Sequence, residues 1–408
     1  MTLRGVTINE GRIGINVAGD GREFGLIGNG VAVAGKVALA TAYVLRRPSD
    51  AVAIGIDAAY DSANEVNLYR HITEFYRRAG EGTKLHIMVL AQTVMIDEMT
   101  EQAKALAVAA EGNISDMAFI FNPTGDYVET LLDNMNADVM AAIPVLQSFA
   151  DWADSKDMPL HCILEGRGMG DTLADLPDLR DMDAEYEKVT VVVGQDYDYA
   201  EGLPWASGKK FADVGTFLGV VASQAWNRNP GEVETQNLTS SSLQVWLTGG
   251  LSNHKKYTEV YADLETINDK GYVFPIRYQG LSGYWWNDGH VCAPVVVDNA
   301  GNMNQNAIYY SHTMDEAKRA LRIAYLNELK KPVMLEDGLL PASMVGYYNA
   351  IGDQVFEKLA GKELISEGET YTYPESDLLV EKRLDVQFAV IPTGSVNSIV
   401  GTINLKNS

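Results

Sequence analysis

Five short, continuous apolar runs place the tightest limit on what this chain can fold into: 52–56, 85–90, 117–121, 160–164 and 189–193. A strand that is apolar on both sides has to be covered on both sides, which suits a parallel sheet better than a half-exposed antiparallel one. The segments between the runs carry helical periodicity. Leu68, Ile72, Phe75 and Ala79 fall at i, i+4, i+7 and i+11, and Met99, Ala103, Leu106 and Ala110 repeat the spacing before Gly112. Ser62 and Glu65 have capping-box spacing, and Gly80 supplies a stop. The alternation predicts a Rossmann-like open parallel-sheet domain over about residues 50–200.

The chain has 408 residues, 46% of them hydrophobic. It exceeds the roughly 250 to 300 residues at which a single core stops growing, so a second domain is expected. A loop-rich stretch from Asp196 to Lys210 marks the junction, and beyond it the pattern is α+β. Helices are expected near Val214–Trp226, Tyr257–Asp269, Met314–Lys330 and Pro341–Leu359, with a strand from Tyr272 to Tyr278. Strand candidates Leu384–Ile391 and Val396–Leu405 follow, joined by Pro392-Thr393-Gly394-Ser395. At the other end Ile13, Ile15 and Val17 alternate around glycines as an extended arm. The fold class read from this is α/β plus α+β with extended terminal strands. Its segments are an arm over 1–20, an α/β domain over 21–208, an α+β domain over 209–385 and terminal strands over 386–408.

Several chemistries are hinted at and do not hold up. The net charge of −23 would repel a phosphate backbone, which excludes nucleic acid as a partner. No window approaches the roughly 18 apolar residues of a membrane span, and the start lacks a signal-peptide pattern. Cys162 and Cys292 stand outside any metal or redox spacing and read as buried small hydrophobes. Gly30 to Lys36 copies the GxxxxGK spacing of a phosphate loop, but Val37 stands where a magnesium-binding hydroxyl is needed, and no strong strand is expected before Gly30. The six histidines form no HxH or HxxxH pair, and His86 and His161 read as core histidines. The acidic residues from Asp171 to Glu187 do not follow the EF-hand pattern. Trp285 and Trp286 read as packing a domain junction rather than a sugar platform. No catalytic, cofactor-binding or metal-binding residue is assigned, and no cofactor is expected.

The second half, about residues 210–408, resembles the contractile phage tail sheath family in the order of its features. A small-residue helix, Gly215-Thr216-Phe217-Leu218-Gly219-Val220-Val221-Ala222, precedes Trp226-Asn227-Arg228-Asn229-Pro230-Gly231, similar to the family's Arg-Gly-Val-Trp loop. Leu264-Glu265-Thr266-Ile267-Asn268-Asp269-Lys270-Gly271-Tyr272 occupies the place of a Gly-Ile-Asn segment. Gly283-Tyr284-Trp285-Trp286-Asn287-Asp288-Gly289 is similar to a Gly-x-x-Val-Trp-Gly strand. A long helix, a second helix and a terminal hairpin-like pair complete the order. The family's Arg-Arg-Leu is absent, its nearest analogue being Lys318-Arg319-Ala320-Leu321-Arg322, which marks a divergent branch.

The resemblance implies a structural subunit and not an enzyme. Such subunits stack as six-membered rings around an inner tube in a phage tail or contractile injection particle assembled in a bacterial cytoplasm. The implied partners are further copies of the chain, the inner tube protein, and the baseplate and tail-terminator proteins. Ile13, Ile15 and Val17, with Ile399, Ile403 and Leu405, become the residues of strand exchange between subunits. The helix carrying Lys318, Arg319 and Arg322 becomes the tube-facing element, with Asp315 and Glu316 able to neutralise it in place. The alternative is a Rossmann-like enzyme of unknown substrate, its pocket built from the loops 57–60, 121–126 and 165–168.

Overall fold

The computed structural model describes residues 22–406, so Ile13, Ile15 and Val17 lie outside the described residues. Two units are present: 22–226 with 230–312, and 227–229 with 313–406. The expected boundary at 208/209 lies within the first unit.

The centre of the main sheet is a strand that the apolar-run pattern does not contain. β1 (Glu23–Gly30) pairs in parallel with β3 (Leu85–Ala91) on one side and β4 (Ile114–Ile120) on the other. β5 (His161–Glu165) and β6 (Val189–Val192) extend the parallel sheet, and β2 (Ala42–Leu45) closes the far edge antiparallel to β3. The spatial order is β2-β3-β1-β4-β5-β6. Gly25, Gly28 and Gly30 give β1 a weak strand signature, because glycine has no side chain to pack on a sheet. Close approach explains them. A Cβ on Gly28 would sit 2.9 Å from Cβ of Ile120 and 3.0 Å from Cδ2 of Leu68, the first residue of helix α1 (Leu68–Ala79).

Of the five apolar runs, four are strands, and the fifth, Val52–Ile56, is not. Pro48 opens a short helix ending at Ala53, where its fixed φ is pre-set for a first turn. Gly55 then takes φ +89°, outside strand geometry. The capping box at Ser62 and Glu65 is also replaced. Glu65 ends the helix Ala58–Asn64 with φ +55°, while Asp57 caps that helix by accepting from the Tyr60 amide at 2.8 Å. The first amides of α1 donate to the buried carboxylate of Asp61, from Tyr69 and Arg70 at 3.1 Å each. Burial pushes the Asp61 carboxyl up to about 7 against the pull of those amides.

Helices α2 (Thr100–Ala109) and α3 (Ala137–Asp154) complete the expected crossovers. The stretch read as a junction is packed into the same unit. Helix α4 (Val214–Ala222) lies on α1 through Gly215 and Gly219, with a Cβ on Gly219 falling 2.7 Å from the Phe75 carbonyl oxygen. Below this contact Arg70 meets Asp196 and Asp213 at 3.0 and 2.8 Å, with its guanidinium 4.3 Å from the Tyr199 ring centroid. Trp286 is wholly buried against Phe217 and Trp246, so the tryptophan pair builds the core of one unit rather than a junction. The expected helix Tyr257–Asp269 is reduced to one short 3-10 turn and Leu264–Asp269, and the expected strand Tyr272–Tyr278 to the two-residue ladder Pro275–Ile276.

Helix α5 (Ile308–Leu326) carries the chain into the second unit, where α6 (Ala342–Ala360) packs on the antiparallel pair β7 (Ile365–Thr372) and β8 (Val386–Pro392). Gly368 leaves room for Phe356 of α6, and Gly352 of α6 leaves room for Thr370. The expected hairpin of two terminal strands does not form. β8 takes β7 as its partner, and residues 393–406 carry no strand.

Candidate functional site

The segment after β8 is uncharged as far as Leu405, and its apolar side chains are exposed. From Pro392 to Leu405 no residue is charged. Ile399, Ile403 and Leu405 expose 90%, 98% and 103% of their reference surface, so the described residues cover almost none of it. A side chain of this size gains about 1.5 to 3 kcal/mol when fully buried, a gain the isolated chain forgoes. Among the described residues the sheet beside the arm has two strands, so β7 and β8 each keep an open edge there. A two-stranded pair with open edges is a template for added strands.

The cations expected to face a tube line a groove of about 840 Å³ within the second unit. Lys318 and Arg322, one turn apart on α5, stand exposed on its wall, while Arg319 turns toward Glu316, 3.7 Å away. Leu321, Tyr325, Leu384, Val386 and Phe388 supply the apolar lining. Lys330, Lys331, Lys382 and Arg383 join the same wall, with Glu328 among them. The sequence reading missed these four. Their signals were the Lys330-Lys331 and Lys382-Arg383 pairs, which are 52 positions apart and meet only through the α5–α6 turn and the approach to β8. On a chain of net charge −23, six cations stand around one apolar groove, with Lys331 paired to Glu328 at 2.8 Å and Arg383 to Asp385 at 2.8 Å and Glu381 at 3.1 Å.

The rival pocket, at the carboxyl ends of the parallel strands, is filled by the chain itself. The Asn29 side chain donates to Ala91 and Val94 carbonyls at 2.9 and 2.8 Å and accepts from the Asn122 amide at 3.0 Å. Glu165 accepts from the amides of Phe121 at 2.7 Å and Ala212 at 3.1 Å, and burial pushes its carboxyl up to about 7. Arg167 donates to the carbonyls of Phe121 and Ser207. The crevice where such sheets hold ligands is thus occupied by residues 207–212.

Contrary to the expectation, a strand does precede Gly30, so the phosphate-loop reading has to be decided on the loop itself. The Val33 amide donates to the Val37 carbonyl at 2.8 Å and the Lys36 amide to the Val33 carbonyl at 2.9 Å. Tyr60 receives the Val31 amide at 2.7 Å. These amides serve the chain's own turn, and an edge strand rather than a helix follows. His86 bonds to Glu23 at 2.6 Å and His161 to Thr190 at 2.9 Å, both inside the core. Cys162 and Cys292 are free and buried. The carboxylates of Asp171, Asp175, Asp178, Asp181 and Asp183 face solvent, while Leu173, Leu176 and Leu179 anchor their loop. Among the described residues no group of three or more His, Cys, Asp or Glu could hold a metal ion, and no helix is long and apolar enough to cross a membrane.

Along its whole length the chain is similar in fold to chains solved in contractile particles. Over 99% of both chains it matches a subunit of the anti-feeding prophage helical sheath in its contracted state, with a TM-score of 0.60 at 11% identity. It also matches a chain of the six-fold symmetrised baseplate of the anti-feeding prophage, with a TM-score of 0.63 at 10% identity, covering 100% of this chain and 99% of that one. The chain belongs to the DUF2586 family, whose N-terminal domain model matches residues 4–290, more than half of its length. No curated protein matches it.

Proposed function

We propose that this chain is the sheath subunit of a contractile injection machine. It stacks as six-membered rings around an inner tube and shortens to drive the tube through a target envelope. The observation that carries the reading is the likeness to a helical sheath subunit along the whole chain, rather than over the parallel sheet alone. The uncovered arm supports it, since Ile399, Ile403 and Leu405 gain a partner when they add to the open sheet edge of a neighbour. Residues 1–20, with Ile13, Ile15 and Val17, act as the second exchanged arm. Lys318 and Arg322 then face the inner tube, with Arg319 supporting them through Glu316. Contraction is a rigid-body rearrangement in which the exchanged strands keep the mesh intact while ring contacts repack. Baseplate and terminator proteins cap the two ends, and assembly takes place in a bacterial cytoplasm.

Negative-stain microscopy of the purified chain tests this. Tubes or rings are expected from the full chain, and folded, dispersed subunits from chains lacking residues 1–18 or 396–408. A full chain that stays monomeric at high concentration overturns the reading.

A further inference from the structure

We propose that Asn227 and Asn229 are positioning residues for the C-terminal arm, a two-asparagine clamp that sets where the arm leaves its own subunit and in which direction. The proposal rests on the strand-exchange reading above. Residues 227–229 belong to the second unit, although Trp226 and Pro230 on either side belong to the first. Asn227 Nδ2 donates to the Glu363 carbonyl and to Thr393 Oγ1, both at 3.0 Å, so one amide group ties the turn between α6 and β7 to the first residue after β8. Two residues on, Asn229 Nδ2 reaches Ser395 Oγ at 3.3 Å and Asn397 Oδ1 at 3.5 Å, and Ser395 Oγ bonds Asn397 Oδ1 at 3.0 Å. Each asparagine grips a segment some 166 positions further along the chain.

The geometry explains why the side chain is an amide. Nδ2 carries two hydrogens in one plane and can bridge two acceptors, which a carboxylate cannot do. The grip covers Thr393 to Asn397, with Val396 inside it at 78% exposure, and ends before Ile399 and Val400 at 90% and 94%. An arm released at Pro392 would sample many directions before meeting a neighbour. Held to Asn397, it loses less freedom on docking, which favours assembly without adding a contact to the interface.

The test uses the full-length chain with Asn227→Asp, Asn229→Asp and the double variant, beside a truncation lacking 396–408. Assembly threshold is read by sedimentation, thermal midpoint by circular dichroism, and arm mobility by a nitroxide on Ser398→Cys in dilute subunits. Cys162 and Cys292 are buried and stay unlabelled. The double variant is expected to raise the assembly threshold about tenfold, the scale of one or two lost hydrogen bonds. Its label should be more mobile and its thermal midpoint unchanged. Should it fold poorly, Thr393→Val with Ser395→Ala removes the bonds to Thr393 and Ser395 from the arm side and should shift threshold and label mobility in the same direction. If truncation abolishes assembly while the clamp variants assemble at the original threshold, the clamp is overturned and strand exchange stands. If truncation leaves assembly intact, exchange of this arm is overturned and the clamp's role with it.

Discussion

The Nη2 atom of Arg70 lies 2.8 Å from Oδ2 of Asp213, joining helix α1 to the start of α4 across 143 positions of sequence. Asp196, the last residue of the short strand Gly194–Asp196 that follows β6, is 3.0 Å from the same atom, and Glu74 lies 3.7 Å from the neighbouring nitrogen. All four groups are buried. Burial raises the Asp213 carboxyl, and the Arg70 charge is what opposes that rise.

Removing the cation alone leaves three carboxylates in a low-dielectric site. Arg70→Met is expected to destabilise the chain by about 3–5 kcal/mol, read from the shift of a urea unfolding curve. A paired Arg70→Met, Asp213→Asn variant should recover part of that loss, because one stranded charge goes with the cation.

Gly219 makes the α1–α4 contact possible. A methyl group there would meet the Phe75 carbonyl oxygen at 2.7 Å and its Cα at 2.9 Å, both backbone atoms that cannot swing aside. Gly219→Ala is expected to cost about 1–3 kcal/mol despite alanine's better helix propensity, measured by thermal unfolding.

His71 sets an acid sensitivity. Burial first, and then the Arg70 charge beside it, hold its imidazole down at about 3. The Gly215 amide donates to Nδ1 at 3.2 Å, which requires the neutral ring. Below about pH 6.5 the unfolded chain takes up a proton that the folded chain refuses, so stability falls as pH drops from about 6.5 toward 3. His71→Gln keeps an acceptor without titrating. It should flatten the stability–pH slope in that window by up to about 1.4 kcal/mol per pH unit. Asp116 acts lower down. Burial raises it, yet the His312 contact at 2.5 Å more than offsets this and leaves it at about 2, so its contribution is lost only as pH falls from its ordinary value of 3.8 through 2.

If the proposed tube-facing role of Lys318 and Arg322 holds, reversing the charge of the groove separates self-assembly from tube binding. Lys318→Glu with Arg322→Glu is expected to leave the fold and sheath-like polymers intact, because both side chains are exposed. Co-sedimentation with the inner tube protein should fall at least tenfold at low salt, and the wild-type interaction should weaken as salt is added.

Much of the parallel sheet was legible because strands covered on both faces need unbroken apolar runs. Leu85, Met117, Leu160 and Val189 all begin or lie in runs that became β3 to β6 or their margins. The run at Val52 looked the same and became a helix and turn, since Pro48 and Gly55 set the backbone before packing could. β1 was invisible for the converse reason. Its glycines weaken every local strand signal, and only the approach of Leu68 and Ile120 shows why they are there. The cationic groove was half legible, as Lys318 and Arg322 share a helix face. Lys382 and Arg383 reach the same groove from the approach to β8, which no spacing rule reports.

By itself, then, the sequence determined which segments had to be buried and where most helices ran, because these follow from the side chains of each segment. Tertiary structure decided the rest: that β1 is the central strand, that the crevice beyond the sheet is filled by residues 207–212, and that β8 pairs with β7. The arm expected to pair with β8 carries no strand pairing among the described residues. Those outcomes depend on which distant segments compete for one sheet edge or one cavity, and that competition is settled only when the whole chain packs.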